Sequence, residues 1–360
     1  MAVLGKGNNK RKVLFVLGSG VSYGVCPDVE ALTNIVLSPK PKWFGYDQNE
    51  EFEAIVGFLQ VLTEHAKPTR ETCTYEDLFS MCDQLAKWEL NRVPDPSLRL
   101  FRDKIFTESK KHWAFYAKEE KCYLQDMPLA AIALKAQHTI HVVIRQALVR
   151  ETDPGEQLEL ITDVIRMLGP ENVDVLTLNH DCLVESLLDR EGIEWTDGFD
   201  PKISKDGDVV NFDARAFDDR KRIRIVKLHG GCDWFYAGTS INNFRWIKNT
   251  TESDVDMCHD ASGEKFYDEE EIAPTLTGTT TKASAYTEGI HAELYLEAKK
   301  LLAEHDHIIC SGYGWNDYGF NTLLHEWGKH QLWHESARRF PRLLLLHAKD
   351  RLGEFNPKKS

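Results

Sequence analysis

Val13-Leu14-Phe15-Val16-Leu17 runs straight into Gly18-Ser19-Gly20-Val21-Ser22, and the reading of this join decides the fold. Five apolar, mostly strand-favouring residues without alternation are the pattern of a strand buried on both faces, as in a parallel sheet. The glycine pair and the serine predict a tight turn from strand into helix. Backbone N–H groups can approach a phosphate there, and a helix N-terminus adds its positive dipole end. The motif alone is incomplete. Gly18 and Gly20 give G-x-G, but the next glycine is Gly24, one residue late for G-x-G-x-x-G. An acidic residue to hold an adenosine ribose belongs roughly 20 positions on, where the chain instead has the turn Leu37-Ser38-Pro39-Lys40-Pro41.

Three further apolar runs end in small or polar groups. Val173 to Leu178 leads to Asn179-His180-Asp181, Ile223 to Leu228 to His229-Gly230-Gly231, and His307 to Cys310 to Ser311-Gly312-Tyr313. In an open parallel sheet the C-terminal strand ends line one crevice, where ligands bind. The expected fold is therefore α/β, with a Rossmann-like, doubly wound parallel sheet formed by residues 1–45 and 155–360. Between them, 46–154 reads as a large helical insertion. Phe52, Ile55, Val56, Leu59 and Leu62 make one apolar stripe, Tyr75, Leu78, Phe79, Cys82 and Leu85 a second, and Leu134, Ile140, Val143, Ile144 and Leu148 a third. Aromatic residues are dense there (Trp88, Phe101, Phe106, Trp113, Phe115, Tyr116, Tyr123) and read as core packing. Residues 196–222 suit a polar surface excursion. Residues 232–285 are the least readable stretch and fit short strands or a flap, and a last strand is expected at Arg342 to His347.

Composition narrows the functional classes. The chain has 360 residues, 42% of them hydrophobic, with nine tryptophans, enough for a packed core. Its net charge of −13 argues against direct nucleic-acid binding, which rests on Lys and Arg neutralising phosphates. The basic clusters Lys10-Arg11-Lys12 and Lys358-Lys359 read as solvated termini, and the acidic run Asp268 to Glu271 as an exposed loop. Eight cysteines contain no C-x-x-C pair, so neither a zinc ribbon nor a disulfide scaffold is expected. Cys258-His259 reads as incidental, no metal site is expected, and the implied compartment is a reducing cytoplasm. No apolar run is long enough for a membrane span.

With Gly18-Ser19-Gly20-Val21-Ser22, Leu178-Asn179-His180-Asp181, Lys227-Leu228-His229-Gly230 and Ile308 to Tyr313 in this order, the chain resembles the sirtuin-like family over about residues 13–37 and 155–330. The resemblance implies an NAD-binding crevice. Gly18, Ser19, Gly20 and Ser22 match the pyrophosphate loop, and Asn179 and Asp181 match the Asn-x-Asp at the nicotinamide end. His229 matches the catalytic histidine, and Gly312 and Tyr313 fall where the family contacts the adenosine ribose. Sirtuin deacylases carry a Gln before the Asn, where this chain has Leu178. They carry a Phe-Arg pair after Gly-Ile-Pro, where this chain has Val25-Cys26-Pro27-Asp28, and two C-x-x-C zinc pairs, which it lacks. The pattern is more similar to the zinc-free domains of bacterial anti-phage defence systems, which cleave NAD to nicotinamide and ADP-ribose. Those domains imply NAD as substrate, no zinc, a homo-oligomer or a partner subunit, and in some systems a DNA-translocase ATPase.

The residue types suit that chemistry. Nicotinamide leaves neutral from a pyridinium, so a protein need only hold the ribose, stabilise an oxocarbenium-like state and place a water. Asn179 can orient ribose and water, or cap a helix. Asp181 can accept from the nicotinamide amide, or start the 182–190 helix. Ser22 can bond a phosphate or cap. His229 can take a proton from a ribose hydroxyl or the water. His180 is expected to face away, and Asp317 and Asn321 to brace the adenosine side. A protein deacylase or ADP-ribosyl transferase, and a non-catalytic nucleotide-sensing subunit, are the alternative readings.

Overall fold

The computed structural model describes residues 11–39, 50–66, 72–90, 99–118, 127–149, 153–250, 255–269, 275, 277–278, 282, 286–305, 307–333 and 342–346. The chain divides into two compact units: residues 1–26 with 151–268 and 283–360, and residues 27–150 with 269–282. The first boundary therefore falls at residue 26, ahead of the expected 45, and 269–282 groups with the helical unit.

The first unit is α/β and Rossmann-like. Its six strands are β1 (Val13–Leu17), β2 (Val173–Thr177), β3 (Trp195–Thr196), β4 (Ile223–Lys227), β5 (His307–Ser311) and β6 (Arg342–Leu346). They lie in the order β6-β5-β1-β2-β4-β3, with every neighbouring pair parallel. The first strand sits inside the sheet; the chain adds β2 and β4 on one side of it and β5 and β6 on the other. The order reverses between β1 and β5, the switch point at which such sheets open a crevice. All five residues of β1, β2 and β4 are buried. Register brings the strand ends level: Leu17 lies opposite Thr177 and Ser311, and Thr177 opposite Lys227. The four segments picked out by the sequence start side by side for this reason. Helix Gly289–Glu304 packs on β2 and β4 through Ile290, Leu294, Ala298 and Leu301.

The turn after β1 differs from expectation. Ser19–Ser22 is a four-residue 3-10 turn, and no α-helix follows it directly. Gly24 has φ +84°, the amides of Val25 and Cys26 fold back onto the Ser22 carbonyl, and Pro27 bars helix at the residue before it. The first α-helix, Val29–Leu37, begins beyond Asp28, whose carboxylate caps it by accepting from the Ala31 amide at 2.8 Å. It belongs to the second unit.

On either side of β4, residues 205–211 and 234–268 form a second sheet, where a surface excursion and short strands or a flap are expected. Five antiparallel strands, Lys205–Asp206, Val209–Asn211, Arg245–Asn249, Trp234–Gly238 and Tyr267–Asp268, pair in that order. Val209, Phe235, Ala237, Ile247, Val255, Cys258 and Phe266 form its own core. The strands have two to five residues and mixed burial, so they carry little alternation to read.

The second unit is helical, as the three stripes predict. Helix Pro128–Leu148, with Pro at its first position, buries Ile132, Ala136, Ile140, Val143 and Ile144 against helices Glu50–Ala66 and Tyr75–Glu89. Phe106 and Trp113 stack at 4.6 Å and are half-buried. Tyr123, Lys10, Lys358, Lys359, Glu270, Glu271 and His347 lie outside the described residues, as do the side chains of Trp88, Phe115 and Tyr116. Among the described residues no helix is long and apolar enough to cross a membrane.

Candidate functional site

The segments after β1 and β5 touch backbone to backbone. The Gly18 amide donates to the Ser311 carbonyl at 3.0 Å and the Gly20 amide to the Gly312 carbonyl at 2.9 Å. A Cβ on Gly18 would lie 2.6 Å from the Tyr313 Cα, and one on Gly20 2.7 Å from the Gly312 Cα. Gly312 has φ +65°, and its Cβ would meet the Val21 nitrogen at 2.3 Å. This close approach accounts for all three glycines. The amides of Gly18 and Gly20, expected to face a phosphate, are here directed to the neighbouring strand end. Ser19 and Gly20 are exposed and form the solvent edge of the site.

Behind that edge the segments after β1 and β2 share a hydrogen-bond chain. Asn179 Nδ2 donates to the Gly18 carbonyl at 3.2 Å and to Ser22 Oγ at 3.1 Å. Ser22 Oγ donates to Asp181 Oδ2 at 2.7 Å. Asp181 Oδ1 accepts from the Leu183 amide at 3.2 Å and so also starts the helix Leu183–Arg190. Asp181 thus engages the first amide of the helix from one residue ahead of its N-cap, Cys182, whereas Asn179 makes no such contact. Its side chain crosses to the β1 turn, with both amide hydrogens engaged and no described residue donating to its Oδ1. Ser22, Asn179 and Asp181 are all buried.

His229, at the end of β4, is held on both ring nitrogens. Nδ1 lies 3.1 Å from the carbonyl of Leu178, the residue before Asn179. Nε2 lies 2.8 Å from Asp317 Oδ2 and 2.9 Å from the Tyr286 hydroxyl. Tyr286 donates to the same Asp317 oxygen at 2.8 Å. Both nitrogens face acceptors, so the geometry accommodates an N–H at each. Burial alone would raise the Asp317 carboxyl, but the hydrogen bond and charge of His229 hold it well below the usual carboxylate range. Burial, and then the Asp317 charge, push the Tyr286 hydroxyl far up. Burial lowers His291 to about 4, with a contribution from His229. Asp317 Oδ1 accepts from the Phe320 amide at 2.9 Å and so begins the helix Tyr318–Trp333. Asp317 therefore serves His229 as well as the helix start, where an adenosine brace was expected. Tyr313 is buried, and its hydroxyl donates to Asn321 Oδ1 at 2.8 Å.

The structure thus brings Gly18, Ser22, Asn179 and Asp181 into one connected group, sets His229 one residue from Asn179, and packs Gly20 against Gly312. Several residues escaped the sequence reading. His180, expected to face away, has its ring 6.2 Å from that of His229. Tyr286 lies in a stretch without periodicity. Lys227, fully buried, donates to the Asp181 carbonyl at 2.6 Å and to Glu185 Oε1 at 2.7 Å; its signal was a charge closing a buried strand that also carries Arg224. Trp315 is the one non-glycine residue with positive φ, 62°, among the described residues, and its ring lies 5.0 Å from Tyr313.

No family model matches the chain, and no curated protein matches it.

Proposed function

We propose that this chain is an NAD glycohydrolase that cleaves NAD to nicotinamide and ADP-ribose. The observation that carries the reading is the state of Asn179. Its amide hydrogens are fixed by Gly18 and Ser22, its carboxamide oxygen has no donor among the described residues, and His229 sits against the adjoining residue. An oxygen so held is placed to accept from a ribose hydroxyl or from a water. The chain through Ser22 to Asp181 keeps it from rotating. His229 is the acid–base group, and Asp317 supplies the negative charge that stabilises its protonated form. The Nδ1 contact, to a neutral carbonyl, is the longer and weaker one, so Nδ1 is the nitrogen that exchanges protons with substrate. Gly312 and Tyr313 border the adenosine side across the switch point. The sirtuin-like order of the four segments supports the further reading of a cytoplasmic effector of bacterial anti-phage defence that depletes NAD. On that reading it works as a homo-oligomer or beside a partner such as a DNA-translocase ATPase.

The test is NAD turnover by purified protein, alone and with co-expressed genomic neighbours, followed by release of nicotinamide and ADP-ribose. Asn179→Ala and His229→Ala each abolish release while circular dichroism stays unchanged. Undiminished turnover in both variants rejects the assignment. Acyl-ADP-ribose from a peptide substrate would indicate a deacylase instead, and tight NAD binding without cleavage a sensing subunit.

A further inference from the structure

One residue past each of two site segments the chain carries a cysteine. Cys182 follows Asp181, and Cys232 follows Gly231. The Cys232 amide donates to the His180 carbonyl at 2.9 Å, which draws the two segments together. The sulfurs stand 3.8 Å apart, and both lie within 4.8 Å of a carboxylate oxygen of Asp233. A disulfide needs about 2.05 Å. Two sulfurs each bonded at about 2.3 Å to one tetrahedral ion are held about 3.8 Å apart. Contact between two thiols gives a similar spacing, so the deciding observation is the oxygens. Asp233 Oδ1 and Glu185 Oε2 are buried and have no hydrogen-bond partner among the described residues, and Glu185 as a residue is only 5% exposed.

We propose that Cys182, Cys232 and Asp233 form a binding site for a thiophilic divalent cation of the zinc class, with water in the fourth position. Asp233 Oδ1 is the oxygen left for the ion, because Lys248 engages Oδ2 at 2.5 Å. Lys227 stands 3.8 Å from Cys182 Sγ, and Lys248 also pairs with Asp197. Two thiolates and a carboxylate around a divalent ion carry one net negative charge, which these ammonium groups offset. Binding forms two metal–sulfur bonds and one metal–oxygen bond and releases the two thiol protons to solvent. Without the ion, the Cys182 thiol is held well above its ordinary range, first by its hydrogen bond with Cys232 and then by burial. A bound ion clamps the segment carrying Asn179 and Asp181 to the segment carrying His229.

The site is independent of the nucleotide reading, and the experiment uses the metal alone. Full-length protein, stripped with a chelator under reducing conditions, is titrated with Co²⁺ and with Zn²⁺. The expected result is one ion per chain, a sulfur-to-cobalt charge-transfer band and a higher melting temperature. Cys182→Ser and Cys232→Ser each weaken binding by more than about tenfold, since even outer-shell partners of a metal cost that much, and the double variant loses the band. Asp233→Asn weakens binding and keeps the band. Metal content of the protein as purified gives a readout that needs no variant. Absence of both uptake and band in the wild-type chain overturns the site, as does a band unchanged in the double variant. Recovery of the two cysteines as a disulfide, 2 Da lighter, in reduced and stripped protein would do so as well.

Discussion

Strands β2 and β4 carry buried charge at both ends, and the two ends are built differently. At the start, Asp174 on β2 receives the Arg224 amide at 2.9 Å, its Nε at 3.0 Å and its Nη2, and His305 Nε2 stands 3.1 Å away. Arg224 also reaches Glu304 at 2.9 Å. Burial would raise the Asp174 carboxyl, yet these donors hold it below its ordinary value. At the finish, Lys227 reaches only one oxygen of Glu185. Burial there outweighs the lysine, and the Glu185 carboxyl sits above its ordinary value. One cluster fills its carboxylate and leaves the spare atoms on the donor side, Arg224 Nη1 and His305 Nε2; the other leaves carboxylate oxygens unfilled beside two thiols. A buried polar atom without a partner requires an explanation, and on this sheet such carboxylate oxygens occur at the strand ends where the candidate site lies.

The comparison can be broken most directly at the starting end. Arg224→Met removes the main partner of a buried carboxylate and is expected to lower unfolding free energy by about 3–5 kcal/mol in urea titration, with turnover per folded molecule unchanged. A loss of turnover in the folded fraction would mean that both ends serve the site. Lys227→Met is expected to cost about 3 kcal/mol at neutral pH and less in acid. Glu185, with its folded-state value raised, adds stability below its unfolded value and loses it as pH rises through the folded one. Losing Lys227 raises that folded-state value further, so the deficit relative to wild type should grow once pH passes the already raised wild-type value, and a deficit independent of pH would remove Glu185 from the account.

Two glycines sharpen the contrast between site and periphery. Gly312 and Gly192 both have φ +65°, but a Cβ on Gly192 meets nothing within 4 Å. Gly192→Ala should cost about 1 kcal/mol from backbone strain alone. Gly312→Ala should cost roughly 2–3 kcal/mol, because the segments after β1 and β5 must also part. Equal melting shifts would contradict the close approach. The smallest effect is a slope. Asp174 and Asp317 both have depressed folded-state values, so their contribution is present above the ordinary Asp value of about 3.9 and is lost as pH falls below it through the folded-state values, at no more than about 1.4 kcal/mol per pH unit each. Asp174→Asn should flatten the acid limb of a denaturation series.

The six-stranded sheet was legible because its main strands are mostly apolar runs, interrupted on β2 and β4 by Asp174 and Arg224 and closed by a glycine, asparagine or histidine, and because parallel strands of equal length end level. The helical unit was legible from its stripes. The 3-10 turn at Ser19 was not, since Gly24 and Pro27 act only once the chain has already committed to turn at Ser22. The antiparallel strands of 205–268 were too short to show a period. Within the site, Asn179 and His229 stood at strand ends, but their partners come from afar. Tyr286 and Asp317 lie 57 and 88 positions from His229, and Cys182 and Cys232 are 50 apart. Such pairs are set by sheet register and leave no local spacing to find.

The position of β1 also bears on how the molecule is made. Val13 must wait for Val173 on one flank and His307 on the other, so a strand made before both of its neighbours is enclosed only when the later one arrives. Contacts this distant in sequence are slow to form. A nascent chain that stops short of residue 311 holds the first glycines with nothing to rest them on.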